Sequence, residues 1–556
     1  MEDGTYTAEN SMMEKEWEMN HKNNRENYMW RAAMIVLLCL QVLLVLYYGS
    51  KKEGFHEDEY YSYYSTNRTS GLSTPDREWV NKDTYRNEFL VLPGEGFRYG
   101  LVATVQSWDV HPPFFYFLLH TASSLFPGVF SKWIGIGVNL SAYIINFFLL
   151  AWLTYMITDK NKRITFLVSV VYGFNAMTIS GVLFIRMYEW LTVFVLLLAC
   201  LHIRAMKRQD MRFDKFLLPL MFVNYVGFLT QYYYIIFLFF MAVGFCLWLL
   251  WRDRNIFNCI RYGTSCVFSL GLAVISYPSA LAHIFGGYRG TGAAAEFLDS
   301  TNTADRLLFF AGLMNEYVFN GYFFVLLFVI LAMGMVLLSR KRKNSFGRKM
   351  EIRGDYKPYF LLLFAVCGYF FTVSKTALLL YETSNRYQLP IYGIVVMLVV
   401  TALYLLSGRL FHALFINEKL KRVGIFFLFI IFLAVDAHAL ISGKVLFLFE
   451  EDAGRVAYAK ENAHVPVVIL YNAVTPYHVW WCSEELMEYD GAYFMNGDNL
   501  DQITDRTITN SNRLIVYAAD SDTKEEGLSL LLKGNPKLKE YRMVSQKSLW
   551  SVYEFE

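Results

Sequence analysis

Long apolar runs set the first limit on what this chain can become. Ala32–Tyr48, Ile164–Phe184, Phe323–Leu338 and Ile425–Leu440 each approach the roughly 20 residues that cross a hydrocarbon layer. Only helices and closed barrels satisfy every backbone polar group in lipid, so several such runs predict a bundle of transmembrane helices. The composition agrees. The 556 residues are 55% hydrophobic and 18% aromatic, with a formal net charge of only +2. A soluble chain of this length carries more charge and divides into several cores. That balance gives no support to nucleic-acid binding or to a soluble cytosolic role. The first run follows a polar segment, 1–31, and no small-residue cleavage site follows it, which predicts a retained span and not a signal peptide. The seven cysteines are scattered, most of them inside apolar runs, so no disulfide framework is expected.

Hydropathy places spans near 32–48, 131–157, 164–184, 188–203, 216–231, 232–251, 263–285, 320–339, 358–374, 389–407 and 424–442, about eleven by length. Lys and Arg collect in alternate loops: DKNKR (159–163), RAMKRQDMRFDK (204–215), WRDRN (251–255), SRKRKNSFGRKMEIRGDYK (339–357) and NEKLKR (417–422). The other loops hold only isolated cations: Arg186, Arg289, Arg306, Lys375 and Arg386. The bias of basic loops toward the cytoplasm puts the N-terminus inside, and 49–130, 286–306 and the tail outside. A cysteine probe at Ser73 should then react from outside and one at Ser345 should not.

The expected organisation is a cytoplasmic tail (1–31), an all-α transmembrane domain (32–442) with a long outer loop at 49–130, and a small soluble α/β domain at 443–556. Within the loop, Pro113–Phe126 reads as an apolar helix too short to cross, opened by Pro112-Pro113 and stopped by Pro127-Gly128. It is expected to lie along the membrane surface. In the tail, Val465–Tyr471 and Arg513–Ala518 read as strands.

Three polar constellations fall on the expected outer face. HEDEYYSYY (56–64) follows the first span, and its consecutive Asp58 and Glu59 point roughly 100° apart on a helix, so only one can face a given site. In WDVHPPFFYF (108–117), Pro112 holds His111 extended, and Asp109 lies two residues earlier on the same side of the chain. The third set is spread over other loops: Arg186 and Glu189 in FIRMYEW, Tyr232 beside Gln231, and Arg386 with Tyr387 in SNRYQLPIY. Ionisable residues at a membrane edge often only snorkel. Their convergence on one face is what marks them.

These motifs resemble the GT-C-fold glycosyltransferases, in the branch that holds protein O-mannosyltransferases and the aminoarabinose transferase for lipid A. The resemblance rests on DE after the first span, DVHPP (109–113) in the same loop, HPPFFYFLLH (111–120), and Arg386-Tyr387 before a late span. It covers about residues 30–410 and leaves out the tail. It implies that Asp58 is the catalytic base, that Glu59 helps hold the acceptor, and that Asp109 and His111 form a second part of the site. It further implies that Arg386 lies near the carrier phosphate. Relatives place an Asp where Glu189 stands, a departure from the pattern. The implied partners are a polyprenyl-phosphate-linked sugar donor, membrane lipid, and a glycan, lipid or protein hydroxyl as acceptor. The expected location is a bacterial plasma membrane.

The chemistry fits such a transfer. A carboxylate takes the acceptor's proton, a contribution worth roughly 10²–10⁴ in rate. The departing phosphate gains charge that Arg386 and Arg186 can stabilise. One base opposite the leaving group implies inversion, by analogy with inverting glycosidases. No metal-ligand spacing is present, although carboxylates and a His converge and a divalent metal stays open as cofactor. The rival reading is a transporter or flippase, which would place ionisable groups at mid-membrane on broken helices.

Overall fold

The computed structural model describes residues 3–68, 75–343, 355–413, 418–472 and 474–556. Ser73, Ser345 and most of the basic segment 339–357 lie outside these residues.

Among the described residues, eight helices are long and apolar enough to cross a membrane: Asn24–Ser50, Lys132–Ile157, Tyr188–Arg208, Phe213–Thr230, Tyr234–Asp253, Ile256–Ser276, Lys357–Thr376 and Leu389–His412. The first belongs to a continuous helix, Asp3–Ser50, so the polar N-terminal segment runs straight into the span. Two further runs are bent, which brings the number to ten if each bent pair is one span. The expected span 164–184 breaks by 58° into Lys162–Gly173 and Ala176–Leu183, with Asn175 capping the second piece by accepting from Met177 N at 3.0 Å. Thr303–Val318 and Phe323–Ser339 meet at 92°. Asn320 (φ 52°) and Gly321 (φ 93°) make that corner in the left-handed region, which glycine adopts without steric cost. The eleventh expected span, 424–442, lies in the helix Glu418–Ile441, of which only Ile430–Ile441 qualifies as apolar among the described residues. The expected span 263–285 is displaced. Pro278 forces Tyr277 out of helical geometry, so the span is Ile256–Ser276 and a short helix, Ser279–Phe285, follows.

Tyr188–Arg208 is the most enclosed span, with 78% of its apolar window buried, and it packs against Lys132–Ile157, Phe213–Thr230 and Leu389–His412. Its start therefore marks the centre of one end of the bundle. The segments 51–68 and 75–130 cover that end. His56 caps the helix Glu57–Asn67, accepting from Asp58 N, while Glu59 reaches back to His56 N, a reciprocal capping box. The helix Phe114–Leu125 starts after Pro113, as expected, and buries Phe115, Tyr116, Leu119 and His120.

The tail builds a six-stranded sheet in the order β1-β3-β2-β4-β6-β5. Its strands are β1 (Glu78–Asn81), β2 (Val467–Tyr471), β3 (Gly491–Asn496), β4 (Leu514–Ala519), β5 (Tyr541–Lys547) and β6 (Trp550–Phe555). Strand β2 runs parallel to β3 and β4; the other pairs are antiparallel. The edge strand β1 comes from the segment after the first span, with Glu78 opposite Phe494, so the tail and that segment share one sheet. Further bonds fasten them. Lys52 Nζ donates to Phe447 O at 2.8 Å, Glu53 N to Leu448 O at 2.7 Å, and Tyr60 OH to Glu484 Oε2 at 2.6 Å. Gly54 packs so tightly on Asp452 and Phe449 that a Cβ there would collide with both. The tail thus sits on the same end of the bundle as Asp58.

Candidate active site

The capped first turn of Glu57–Asn67 aims Asp58 at the start of a distant helix. Asp58 Oδ2 lies 2.9 Å from Arg386 Nη1, and the side chains are 25% and 5% exposed. Arg386 is held in a tight 3₁₀ turn, Thr383–Tyr387, just before Leu389-Pro390 opens the next span. Tyr392 OH fixes that turn by donating to Asn385 Oδ1 at 2.7 Å, and Gln388 Nε2 donates to Phe370 O at 3.2 Å. The Arg386 guanidinium lies 5.4 Å from the Phe184 ring and 5.0 Å from the Tyr387 ring, and donates from Nη2 to Tyr387 OH at 3.1 Å. Its contact with Asp58 is an ion pair that lacks hydrogen-bond alignment, and its Nε–H has no acceptor.

A second guanidinium joins from the break between Ala176–Leu183 and Tyr188–Arg208. Arg186 Nη1 lies 3.2 Å from each of Asp58 O, Ser62 Oγ and Tyr116 OH. Its Nη2 is 3.1 Å from His111 Nε2, and His111 Nδ1 is 2.9 Å from Asp109 Oδ2. A guanidinium can only donate, so His111 Nε2 accepts and the ring proton sits on Nδ1, donated to Asp109. Arg186 Nε–H, like that of Arg386, has no acceptor. Two buried cations therefore converge on Asp58 with donors to spare, a costly arrangement unless an anion uses them.

The electrostatics follow from this packing. Burial raises the Asp58 carboxyl, but the charges of Arg386 and Arg186 outweigh it and hold the group well below the usual carboxylate range. Burial also raises Asp109, and His111 and Arg186 again overcome it. Burial lowers His111, opposed by Asp109, which matches the neutral ring inferred from the hydrogen bonds.

The structure brings together Asp58, Asp109, His111, Arg186, Arg386 and Tyr387, all singled out from sequence. Tyr387 extends the site as an aromatic wall, 5.8 Å from the Tyr188 ring and 6.0 Å from Tyr233. Tyr232 lies to one side. Its hydroxyl is 2.9 Å from His283 Nδ1, whose Nε2 is 3.1 Å from Ser107 O, so it braces the strand of chain that leads to Asp109. Besides Tyr232, two more expected members are not brought in. Glu189 turns into the bundle, accepts from Asn146 Nδ2 at 2.9 Å, and lies against Gly181. Glu59 is fully buried, accepting from Lys52 Nζ at 2.9 Å, His56 N at 2.6 Å and Ile185 N at 2.8 Å. Its position three residues after a capping residue is the sequence signal for that inward turn. Sequence reasoning missed His56, Glu57 and Trp481. The rings of His56 and Trp481 are 5.5 Å apart, and Trp481 comes from the tail.

Asp58 and Asp109 are already engaged by Arg386 and His111, and among the described residues no three His, Cys, Asp or Glu side chains converge.

No protein-family model matches the chain, and no characterised protein matches it in sequence. Solved structures do match. The fold is similar to that of ArnT from Cupriavidus metallidurans bound to undecaprenyl phosphate, with a TM-score of 0.50 and 11% identity over 94% of this chain and 97% of that one. The same protein in the apo state gives a TM-score of 0.49 at 13% identity, over 94% and 97% of the two chains. The Archaeoglobus fulgidus oligosaccharyltransferase in complex with zinc and sulfate gives 0.43 at 13%, over 94% and 72%. At such identity the likeness speaks of fold. The chain is a membrane-embedded helical bundle of the GT-C type with a small mixed α/β domain.

Proposed function

We propose that this protein transfers a sugar from a polyprenyl-phosphate carrier to an acceptor hydroxyl, with inversion, on the non-cytoplasmic side of a bacterial plasma membrane. The observation that carries the reading is the pair of buried guanidiniums, Arg186 and Arg386, each with an unused Nε–H beside one carboxylate at the mouth of the bundle. A phosphate diester needs such planar donors, and the leaving phosphate gains negative charge that they stabilise. The structure of like fold holds undecaprenyl phosphate, which agrees with a lipid-linked donor.

In the proposed step, the acceptor oxygen attacks the anomeric carbon opposite the phosphate. The bond between that carbon and the phosphate oxygen breaks, and its electrons stay on the phosphate. The acceptor's proton passes to Asp58, which later returns it to water. In the free protein Asp58 is a poor base, because Arg386 and Arg186 hold its proton affinity down. A bound donor phosphate would draw on the same guanidiniums and set a second anion nearby, and both effects raise that affinity. The base is thus readied by the donor. Glu59 acts in this reading as a positioning residue, because Lys52 and two backbone N–H groups occupy its oxygens.

Incubation of the purified protein with radiolabelled polyprenyl-phosphate hexoses and pentoses, with a membrane extract as acceptor source, tests the reading. Labelled product from the native chain and none from Asp58→Asn is expected. A transport reading has one feature in its favour: two acids are buried in apolar helices, Glu189 at the start of the span Tyr188–Arg208 and Asp436 in the shorter apolar stretch Ile430–Ile441, beside the corner at Asn320. Flux of lipid-linked sugar across proteoliposomes without any transferred product would favour it.

A further inference from the structure

The mechanism above draws on Asp58, Arg186 and Arg386, and Glu57, the carboxylate that precedes Asp58 in the chain, has no part in it. Glu57 opens the helix that presents Asp58 and is partly exposed, as Asp58 is. Successive helical residues point roughly 100° apart, so Glu57 faces a different sector from both Asp58 and Glu59. Two other elements close on that sector. The chain leaves β2 at its C-terminal end and forms the turn Pro476–Cys482, whose Trp481 comes within hydrogen-bonding reach of Glu57 and stands 5.5 Å from the His56 ring. The turn is seated by Trp480, whose ring centroid is 4.4 Å from that of Tyr61. The helix Tyr288–Leu298 carries Arg289, whose charge acts on both Glu57 and Asp58. Arg289 is exposed and has no ion-pair partner among the described residues.

We propose that Glu57, Trp481 and Arg289 form the acceptor subsite beside Asp58, and that the acceptor they take is a saccharide ring. The proposal rests on the transferase reading above. An indole offers a flat apolar face, which suits the C–H face of a pyranose, and a carboxylate beside it accepts from the hydroxyls at the ring's edge. Arg289 adds a third group, whose five N–H donors can meet hydroxyls. Burial, Asp58 and the counter-pull of Trp481 and Arg289 set the Glu57 carboxyl at about 7, so near neutral pH it can both donate and accept. A peptide acceptor is less well served. It would be bound by pairing its backbone, and none of the three groups lies on the sheet's edge strands, β1 and β5. The subsite also gives the tail a function: it supplies one wall of the site from the functional end of its parallel strands.

Saturation-transfer NMR on the purified full chain tests this. The probes are a pool of gluco-, manno- and galacto-configured tetrasaccharides and, separately, a Ser/Thr-rich hexapeptide. Saccharide signal is expected with the native chain, weakened about tenfold or more in Glu57→Gln and Trp481→Ala, and retained in Trp481→Phe, which keeps a flat ring and serves as the folding control. Binding of undecaprenyl phosphate should be unchanged in all three. Saccharide signal that survives Glu57→Gln and Trp481→Ala, signal from the peptide alone, or no signal from either probe overturns the proposal. Failure of the native chain to bind undecaprenyl phosphate would instead bring down the transferase reading, and the saccharide measurement does not depend on it.

Discussion

Asp58 and Glu59 are adjacent in the chain, and each faces a cation at 2.9 Å, Arg386 in one case and Lys52 in the other. The two neighbourhoods differ in everything else. Lys52 and Glu59 have no exposed side-chain surface, and both Glu59 oxygens are saturated by Lys52, His56 N and Ile185 N. Burial pushes the Lys52 ammonium down and the Glu59 carboxyl up, against the pull of each on the other. On the Asp58 side the carboxylate is a quarter exposed, a second guanidinium stands by, and two N–H donors lack acceptors. The closed pair locks the first span, the capped helix and the tail together. The open one is left incomplete. A buried ion pair gains little net stability over an apolar contact, so both pairs need a reason beyond stability. For Lys52–Glu59 the reason we propose is register, and for Asp58–Arg386 the carrier phosphate of the proposed donor.

Breaking the closed pair should have the largest effect. Lys52→Met leaves Glu59 buried without its cation, and the expected loss is about 3–5 kcal/mol of stability. The double variant Lys52→Met/Glu59→Gln, with no charge left to bury, should recover most of it. Thermal melts of the purified protein at constant detergent measure both. A single-variant loss below about 1 kcal/mol would mean that the pair is wetter than its burial indicates.

The open pair should respond chiefly in turnover, with a smaller loss of stability than the closed pair because Asp58 is a quarter exposed. Asp58→Asn keeps the shape and removes the base, and turnover should fall roughly 100-fold, about 2.7 kcal/mol in the barrier. Donor binding should survive. Glu59→Gln should lose stability in the same assay pair. Should Asp58→Asn keep near-normal turnover while Glu59→Gln loses it in a folded protein, the two roles are exchanged.

Much of this contrast was legible in the sequence. The apolar runs and the basic loops are local signals, and so is Asp109-Val110-His111-Pro112-Pro113, whose prolines fix the backbone around the acid and the His. Arg386-Tyr387 was legible because it stands immediately before a span. The division of labour between Asp58 and Glu59 was partly so. Glu59 stands at the third helical position after His56, the place from which a Glu turns back to cap its own helix. The partners of each acid were not legible. Lys52 also bonds Phe447 O, and Glu57 meets Trp481; these contacts join distant parts of the chain through the docking of the tail. The bends at Asn175 and Asn320 were hidden for a related reason. Hydropathy counts apolar residues and does not register a capping Asn or a left-handed corner inside a run.

Arg386→Ala should weaken binding of undecaprenyl phosphate by about 1.5–3 kcal/mol, the worth of a hydrogen bond to a charged group. Isothermal titration or a microscale binding assay reads it. Unchanged affinity in a folded variant would remove Arg386 from the phosphate site and leave Arg186 as the remaining candidate. The same substitution should also raise the Asp58 pKa, because the largest charge holding it down is gone.

The smallest expected effect lies on the closed side, at Glu484, which accepts from Tyr60 OH at 2.6 Å and feels Lys547, Lys52 and Glu59. Burial raises its carboxyl from 4.5 to about 7, with Lys547, the Tyr60 hydrogen bond and Lys52 opposing. The sign follows from proton counting. Between pH 4.5 and about 7 the folded protein keeps a proton on Glu484 that the unfolded chain has lost, so this group's contribution is complete at low pH and declines as pH rises through that window. Glu484→Gln has no proton to lose and should not show the decline. Below the window the variant should match or fall slightly short of the native chain. At pH 8 it should be the more stable of the two by about 1 kcal/mol, less than a full shift would give, because Glu484 is only half-buried and water screens it. Melts of both proteins at pH 5, 6, 7 and 8 give the difference directly, with the Asp58 pair unaltered as internal reference. A native chain that gains stability relative to Glu484→Gln from pH 5 to pH 8 would show that Glu484 is ionised where it sits. Lys547 and Lys52 would then have to be sharing their charge with it, and the closed side would be a four-member ion network in place of one sealed pair.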